Sequence, residues 1–216
     1  MIEHVYRRAA AARTVARTIV ATDDRRILEA VRGFGGEAVM TSPSHQSGTD
    51  RLAEAAAAIE ADVIVNVQGD EPLLAPETID AAVAPFAADA ALQMSTLRRA
   101  IRDGELQNPN VTKVVIDREG YAMYFSRAPI PFTRAGQPAA PAWAHVGLYV
   151  YRRATLLRLA ALPQTAMERA EALEQLRALE HGIRIRTVET THATIGVDTR
   201  EDLERVRALP SHLITT

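Results

Sequence analysis

Apolar positions along this chain switch repeatedly between helical and strand-like spacing. Ile2, Val5 and Ala9 recur at helical intervals and predict an opening helix that ends near Ala12. Arg17 to Thr22 predicts a short strand closed by Asp23-Asp24, and Arg25 to Arg32 a helix ended by Gly33, Gly35 and Gly36. Glu37 to Thr41 predicts a second strand. A loop, Ser42 to Asp50, leads into an Ala-rich helix, Arg51 to Ile59, whose cap is Thr49 or Asp50. Val63 to Val67 is a run of apolar and β-branched residues broken only by Asn66, the pattern of a strand buried on both faces. A helix from Pro76 to Ala88 follows, with proline in its first turn.

Beyond Ala88 the pattern predicts strands at Leu92–Leu97, Val111–Asp117 and His145–Tyr151, with a Pro-, Ala- and Gly-rich loop at Arg134–Ala142. Two helices, Ala154–Leu162 and Ala166–His181, come next; Gly182 ends the second. Arg184–Glu189 predicts a strand and Thr199–Leu209 a final helix with Leu203, Val206 and Leu209 inward. This alternation predicts an α/β fold, a doubly wound and mostly parallel sheet. No internal repeat or clear linker divides the 216 residues, a length suited to one domain with a sizeable core.

Composition narrows the partners. A formal net charge of -2 gives no reason to expect nucleic acid or an anionic membrane. With no cysteine, a disulfide framework, a zinc-thiolate site and a thiol nucleophile are all excluded. No apolar stretch reaches transmembrane length and the opening helix is amphipathic, so a soluble, cytoplasmic protein is expected.

The densest chemistry follows the Val63 run. Gln68-Gly69-Asp70-Glu71-Pro72 stands at the expected carboxyl edge of a sheet strand, where open α/β sheets bind ligands. An Asp and a Glu there suit a hard cation such as Mg²⁺ and, through it, phosphate oxygens. A solvated Gly-Asp turn fits the same residues equally well. No G-x-G-x-x-G and no G-x-x-x-x-G-K-[ST] occurs. Pattern alone therefore ends at an α/β domain with a candidate metal–phosphate site.

Six ordered blocks go further: His45-Gln-Ser-Gly-Thr-Asp-Arg51, Asn66-Val-Gln-Gly-Asp-Glu-Pro72, Tyr121-Ala-Met-Tyr-Phe-Ser-Arg127, His145-Val-Gly-Leu-Tyr149, Leu173-Glu-Gln-Leu176 and Gly196-Val-Asp-Thr199. Together they closely resemble the 3-deoxy-manno-octulosonate cytidylyltransferases, or CMP-Kdo synthetases, from Met1 to about Leu209. The resemblance implies a Rossmann-like nucleotidyltransferase fold. The implied reaction is Mg²⁺-dependent: Kdo and CTP give CMP-Kdo and pyrophosphate in lipopolysaccharide biosynthesis. Within the fold, a region of about residues 145–185 is expected to be an insertion contributing sugar site and dimer face, with a homodimer as the assembly.

Carried over by position, the resemblance makes Asp70 the principal Mg²⁺ ligand and Asp198 its partner. Local rules read Asp198 or Thr199 as a helix N-cap, and one Asp can do both. Ser47, Gly48 and Arg51 match the CTP contact; a turn and N-cap loop is the plain alternative. Gln68, His145, Tyr149, Glu174 and Gln175 match the Kdo pocket. His145 and Tyr149, four apart on one strand, share a face. Glu174 falls on the far side of the Leu173–Leu176–Leu179 stripe, where a solvated residue is expected, so the resemblance requires a second face of that helix to line the pocket. Arg127 fits either the Kdo carboxylate or a structural ion pair.

One motif of the family, an N-terminal strand and a triphosphate loop with arginines, a serine and Pro-Gly-Lys, is absent here; Met1–Val5 matches the helix after it. Two unpaired strand edges, on Arg17–Thr22 and Val63–Val67, and weakened grip on the β- and γ-phosphates are the expected consequences, with a start codon set too far downstream or a fragment as the explanation. A non-catalytic sugar- or nucleotide-binding relic, a CMP-sialate synthetase and a glycosyltransferase are the competing readings. The last usually carries Asp-x-Asp where this chain has Gly-Asp-Glu.

Overall fold

The computed structural model describes residues 1–45, 47–192, 196–197 and 199–209. Its first half alternates: α1 (Ile2–Ala11), β1 (Ile19–Thr22), α2 (Arg25–Gly33), β2 (Glu37–Met40), α3 (Gly48–Ala57), β3 (Val63–Asn66), α4 (Pro76–Val83) and α5 (Pro85–Ala88). Then come β4 (Met94–Ala100), β5 (Lys113–Ile116), β6 (Ala122–Ser126), β7 (Trp143–Arg152), α6 (Arg153–Ala160), α7 (Ala166–Glu171), α8 (Gln175–Glu180), β8 (Ile185–Glu189) and α9 (Arg200–Arg207).

Pairing in the sheet is mixed. β1–β2 and β4–β8 run parallel, whereas β7 is antiparallel to β3, β4 and β5, and β6 to β5. The long β7 takes β4 along one edge; β5 and β3 share the other. Among the described residues β1 pairs only with β2 and β3 only with β7, so the strands form two sheets. Val63–Asn66 are half-buried rather than enclosed on both faces, in keeping with an edge that has no described partner.

Period-two alternation along β7 divides the core. Val146, Leu148 and Val150 face Ala9 of α1 and Ile79 and Ala82 of α4. Tyr151 on the opposite face joins Met94, Ala56 of α3, Leu156 of α6 and Leu176 of α8. Layers of helix on both faces of a twisted sheet are the expected α/β architecture.

Two helices predicted as continuous are broken, each for a local reason. Pro85 has no N–H to continue the ladder, so Pro76–Ala88 divides into α4 and α5. Ala166–His181 divides at Ala172, which is left-handed at φ 51°. The third helix starts earlier than Arg51, because Ser47 caps it by accepting from the Asp50 N–H at 3.1 Å. β6 forms where the apolar pattern had signalled no strand.

A buried ion pair holds the α7–α8 turn. Arg177 donates to both oxygens of Glu168, Nε at 2.8 Å and Nη2 at 2.5 Å, with both side chains almost wholly enclosed. Removing one member leaves a buried charge without its counterion. Arg177→Ala is therefore expected to cost roughly 3–5 kcal/mol, whereas Glu168→Leu with Arg177→Met recovers most of it. Urea unfolding of the three chains checks this; equal losses in the single and double variants would refute it.

Candidate active site

The site is built where β3 ends. A cavity of about 170 Å³ opens between Asn66 and Gln68 at the β3 end, Gly48 and Thr49 at the start of α3, Tyr149 and Tyr151 of β7, and Ala172 to Gln175 in the α7–α8 turn. Gly48, Gln68, Tyr149, Glu174 and Gln175, five of the residues predicted for the site, thus line one hollow.

Glu174 reaches it because the helix is broken. The left-handed turn at Ala172 places Glu174 at the N-cap of α8, and Thr49 Oγ1 donates to its Oε2 at 2.6 Å. A continuous helix would have carried it away on the solvent side. Burial, with the neighbouring Tyr151 and the Glu174 carboxylate behind it, pushes the Tyr149 phenol well above its usual range. Tyr151 is raised too, by burial and then by Glu174, with Thr49 and Asn66 opposing the rise. Both phenols therefore stay protonated and can donate to a ligand or neighbour.

His145 is not part of the cavity lining; it sits beyond Tyr149. Its ring packs between Tyr149 and Phe125, with centroids at 5.3 and 5.0 Å. A bulge in the β4–β7 pairing brings Thr96 Oγ1 within 2.8 Å of the Leu148 carbonyl and 2.9 Å of His145 Nε2. The single threonine proton goes to the carbonyl, so Thr96 accepts from Nε2–H, and His145 holds that tautomer with Nδ1 as acceptor.

Several predicted residues serve the scaffold around the site. Arg51 bridges the carboxyl ends of β1 and β2, donating to Thr41 Oγ1 at 2.6 Å and Asp23 Oδ2 at 2.9 Å. Ser47 caps α3. Arg127 donates to the carbonyls of Glu171 at 2.8 Å, Pro109 at 3.1 Å and Ala172 at 3.5 Å, so its guanidinium braces the turn that carries Glu174. Asp70 follows β3, and its carbonyl accepts from the Val197 N–H at 2.9 Å. That bond sets the distal Gly196-Val197 segment against Asp70; Asp198 itself lies outside the described residues. Among the described residues no three His, Asp or Glu side chains converge as a metal cage.

Thr49, Asn66, Met94 and Tyr151 also line the cavity and had not been singled out as site residues. Tyr151 was signalled by its spacing, two positions from Tyr149 on the same strand face. Met94 and Asn66 sit in ordinary strand patterns that carry no such sign.

An α/β layer structure with a polar hollow at a strand's carboxyl end is the arrangement of a nucleotide-handling transferase. The chain matches the family model described as cytidylyltransferase over residues 1–185. It is 56% identical over 217 residues to 3-deoxy-manno-octulosonate cytidylyltransferase of Geobacter sulfurreducens, covering 95% of this chain and 87% of that protein. Among solved structures, CMP:2-keto-3-deoxy-manno-octonic acid synthetase complexed with CTP superposes with a TM-score of 0.93 at 46% identity, covering 98% and 87% of the two chains. The 4-diphosphocytidyl-2C-methyl-D-erythritol synthase of Anaerococcus prevotii, at 12% identity, TM-score 0.62 and coverage of 96% and 87%, shares the fold. The chain belongs to the 3-deoxy-manno-octulosonate cytidylyltransferase family.

The enclosed histidine has a consequence for stability. Burial holds His145 down to about 3, from an ordinary 6.5. Between those values the unfolded chain binds a proton that the folded chain refuses, so this contribution to stability, complete above about pH 6.5, is lost as pH falls towards 3. Denaturant titrations from about pH 7.5 to about pH 4 are expected to show a shallower acid loss for His145→Gln than for the native chain. Parallel curves would rule out a neutral, enclosed His145.

Proposed function

We propose that this chain transfers a cytidylyl group from CTP to 3-deoxy-manno-octulosonate, giving CMP-Kdo and pyrophosphate, as a cytoplasmic step of lipopolysaccharide biosynthesis. The observation that carries this reading is the single cavity that joins Gly48 and Thr49, from the nucleotide block, to Gln68, Tyr149, Glu174 and Gln175, from the sugar block.

In this reading the sugar acid lies against Tyr149, Gln68, Glu174 and Gln175. Neutral donors and one carboxylate suit a polyhydroxylated ligand, since a phenol and two amides can each orient a hydroxyl. His145 acts one step behind, through Tyr149. Cytidine approaches Ser47–Gly48; a Cβ added at Gly48 would meet nothing within 4 Å, so the space beside it is open. The sugar's anomeric hydroxyl then forms a bond to the α-phosphorus as the bond to the leaving pyrophosphate breaks, in line. Such a transfer depends on alignment and charge neutralisation and needs no covalent protein intermediate.

Asp70 and Asp198 are the proposed holders of Mg²⁺. Their oxygens suit a hard cation that takes few protein ligands and the rest from phosphate and water, and the Val197–Asp70 bond supports their proximity. When bound, the ion would supply neutralisation of the phosphate oxygens. Arg51 and Arg127 support the two pockets through the loops they brace. A homodimer using the 145–185 region completes the reading.

Pyrophosphate release should require both CTP and Kdo, with N-acetylneuraminate a poor replacement. Asp70→Asn should lower kcat/KM on the order of a hundredfold or more with Tm unchanged. Preference for the sialic acid would overturn the substrate, and retained turnover in Asp70→Asn the metal assignment. Sugar binding without any pyrophosphate release would favour a non-catalytic relic.

A second test concerns Gly48. Because an added methyl has open space, Gly48→Ala should leave Tm unchanged and raise KM for CTP several-fold. An unaltered KM would place the nucleotide elsewhere.

A further inference from the structure

One hydrogen bond in the cavity wall ties two elements together. Thr49 stands in the first turn of α3 and Glu174 at the cap of α8. Thr49 Oγ1 donates to Glu174 Oε2 at 2.6 Å. Thr49 is 5% exposed, so water does not compete freely for this bond.

Proton counting fixes the direction of the bond. A threonine hydroxyl has one proton, and here it goes to the carboxylate. A hydrogen bond to an ionised acceptor is the strong kind, and it commits one carboxylate oxygen. With Oε2 taken, Oε1 is the oxygen left to accept from a ligand hydroxyl. Thr49 is also the direct neighbour of Gly48, so the segment expected to meet the nucleotide and the carboxylate expected to meet the sugar are joined by a single side chain.

We infer that Thr49 is a positioning residue: it holds Glu174 for the sugar acid and couples the sugar subsite to the nucleotide segment at Gly48. This rests on the reading of the cavity as the shared sugar–nucleotide site. Two consequences follow from the geometry. Losing the hydroxyl frees Glu174 to rotate and weakens sugar binding. It also uncouples the two ligands, since a nucleotide seated at Gly48 can influence Glu174 through Thr49, and such coupling is reciprocal.

The test is calorimetric titration of the full chain with Kdo, alone and with saturating CMP, so turnover is not needed. Thr49→Val, nearly the same shape, is expected to weaken Kdo binding by about tenfold and to abolish the effect of CMP on the Kdo Kd. Thr49→Ser should return to within about twofold of the native chain, because it restores the donor. In a Glu174→Ala background, Thr49→Val should add nothing further. Unchanged Kdo affinity in Thr49→Val, failure of serine to rescue, or a fully additive loss in the double variant each overturn the inference. Should Thr49→Val not fold, Thr49→Ala must weaken Kdo binding and abolish the CMP effect in its place; native behaviour there overturns it equally. A native chain that binds no Kdo would instead bring down the reading of the cavity.

Discussion

Everything in this fold depends on the backbone pairing of β7 with three other strands. Its ten residues give one edge to β4 and divide the other between β5 and β3, and both cores rest on its two faces. A strand so shared cannot slip in register, because a one-residue shift would turn Tyr149 and Tyr151 to the α1–α4 side and Val150 to the cavity. The bulge at Thr96–Leu97 is the one irregularity in the described pairings of β7, and it is not left unsatisfied. Thr96, fully buried, reaches the Leu148 carbonyl and the His145 ring together. Strand pairing, bulge and histidine tautomer are thus one construction, and the cavity floor inherits its rigidity.

A second construction makes the opposite wall. Lys113, fully buried, donates from Nζ to the carbonyls of Asn108, Val111 and Arg127 at 3.0, 2.7 and 2.5 Å. The side chain of Arg127 then reaches the carbonyls of Glu171 and Ala172, and Glu171 returns to Ser126 Oγ at 2.5 Å and to the Arg127 N–H at 2.9 Å. These charge-assisted bonds offset the strain of a left-handed alanine, which without them would favour an unbroken helix. Burial lowers Lys113 from its ordinary value, with the Glu171 charge opposing. The turn that delivers Glu174 is therefore held by residues from β5 and β6, distant in sequence.

That distance explains what could be read from the sequence and what could not. The strand–helix alternation and the β3 end with its carboxylates were legible, because apolar period and short local motifs signal them, whereas Gln68 and Tyr149 were assigned to a sugar pocket only through the family resemblance. The break at Ala172 was not. Leu173, Leu176 and Leu179 keep helical spacing directly after it, and alanine, the best helix former, gives no sign of a left-handed turn. What braces it, the Arg127 guanidinium on the Glu171 and Ala172 carbonyls, lies outside any window of local sequence. Pro85 is the contrary case: the break was written in the sequence, and only the favourable placing of Pro76 at a helix start made a single helix attractive. Arg51 and Arg127 show a further limit. Residue type told of a cation near an anion site, but only the structure tells that each guanidinium is engaged by the protein's own oxygens.

Charge sets the remaining constraint on the chemistry. Both proposed substrates are anions, yet the described cavity lining holds neutral amides, phenols that stay protonated, and the Glu174 carboxylate. Such a surface recognises hydroxyl groups well and attracts anions poorly. Affinity for a sugar acid must then come from many oriented hydrogen bonds, while neutralisation of carboxylate and phosphate falls to groups at the rim, on the side where β3 ends and the Val197 backbone meets Asp70. Asp70 would hold a metal ion on that side, where the ion would supply neutralisation of anionic oxygens, while Glu174 stays engaged by Thr49. In the proposed reading the polar floor and the rim at Asp70 divide the work, one supplying hydrogen bonds to hydroxyl groups and the other charge neutralisation.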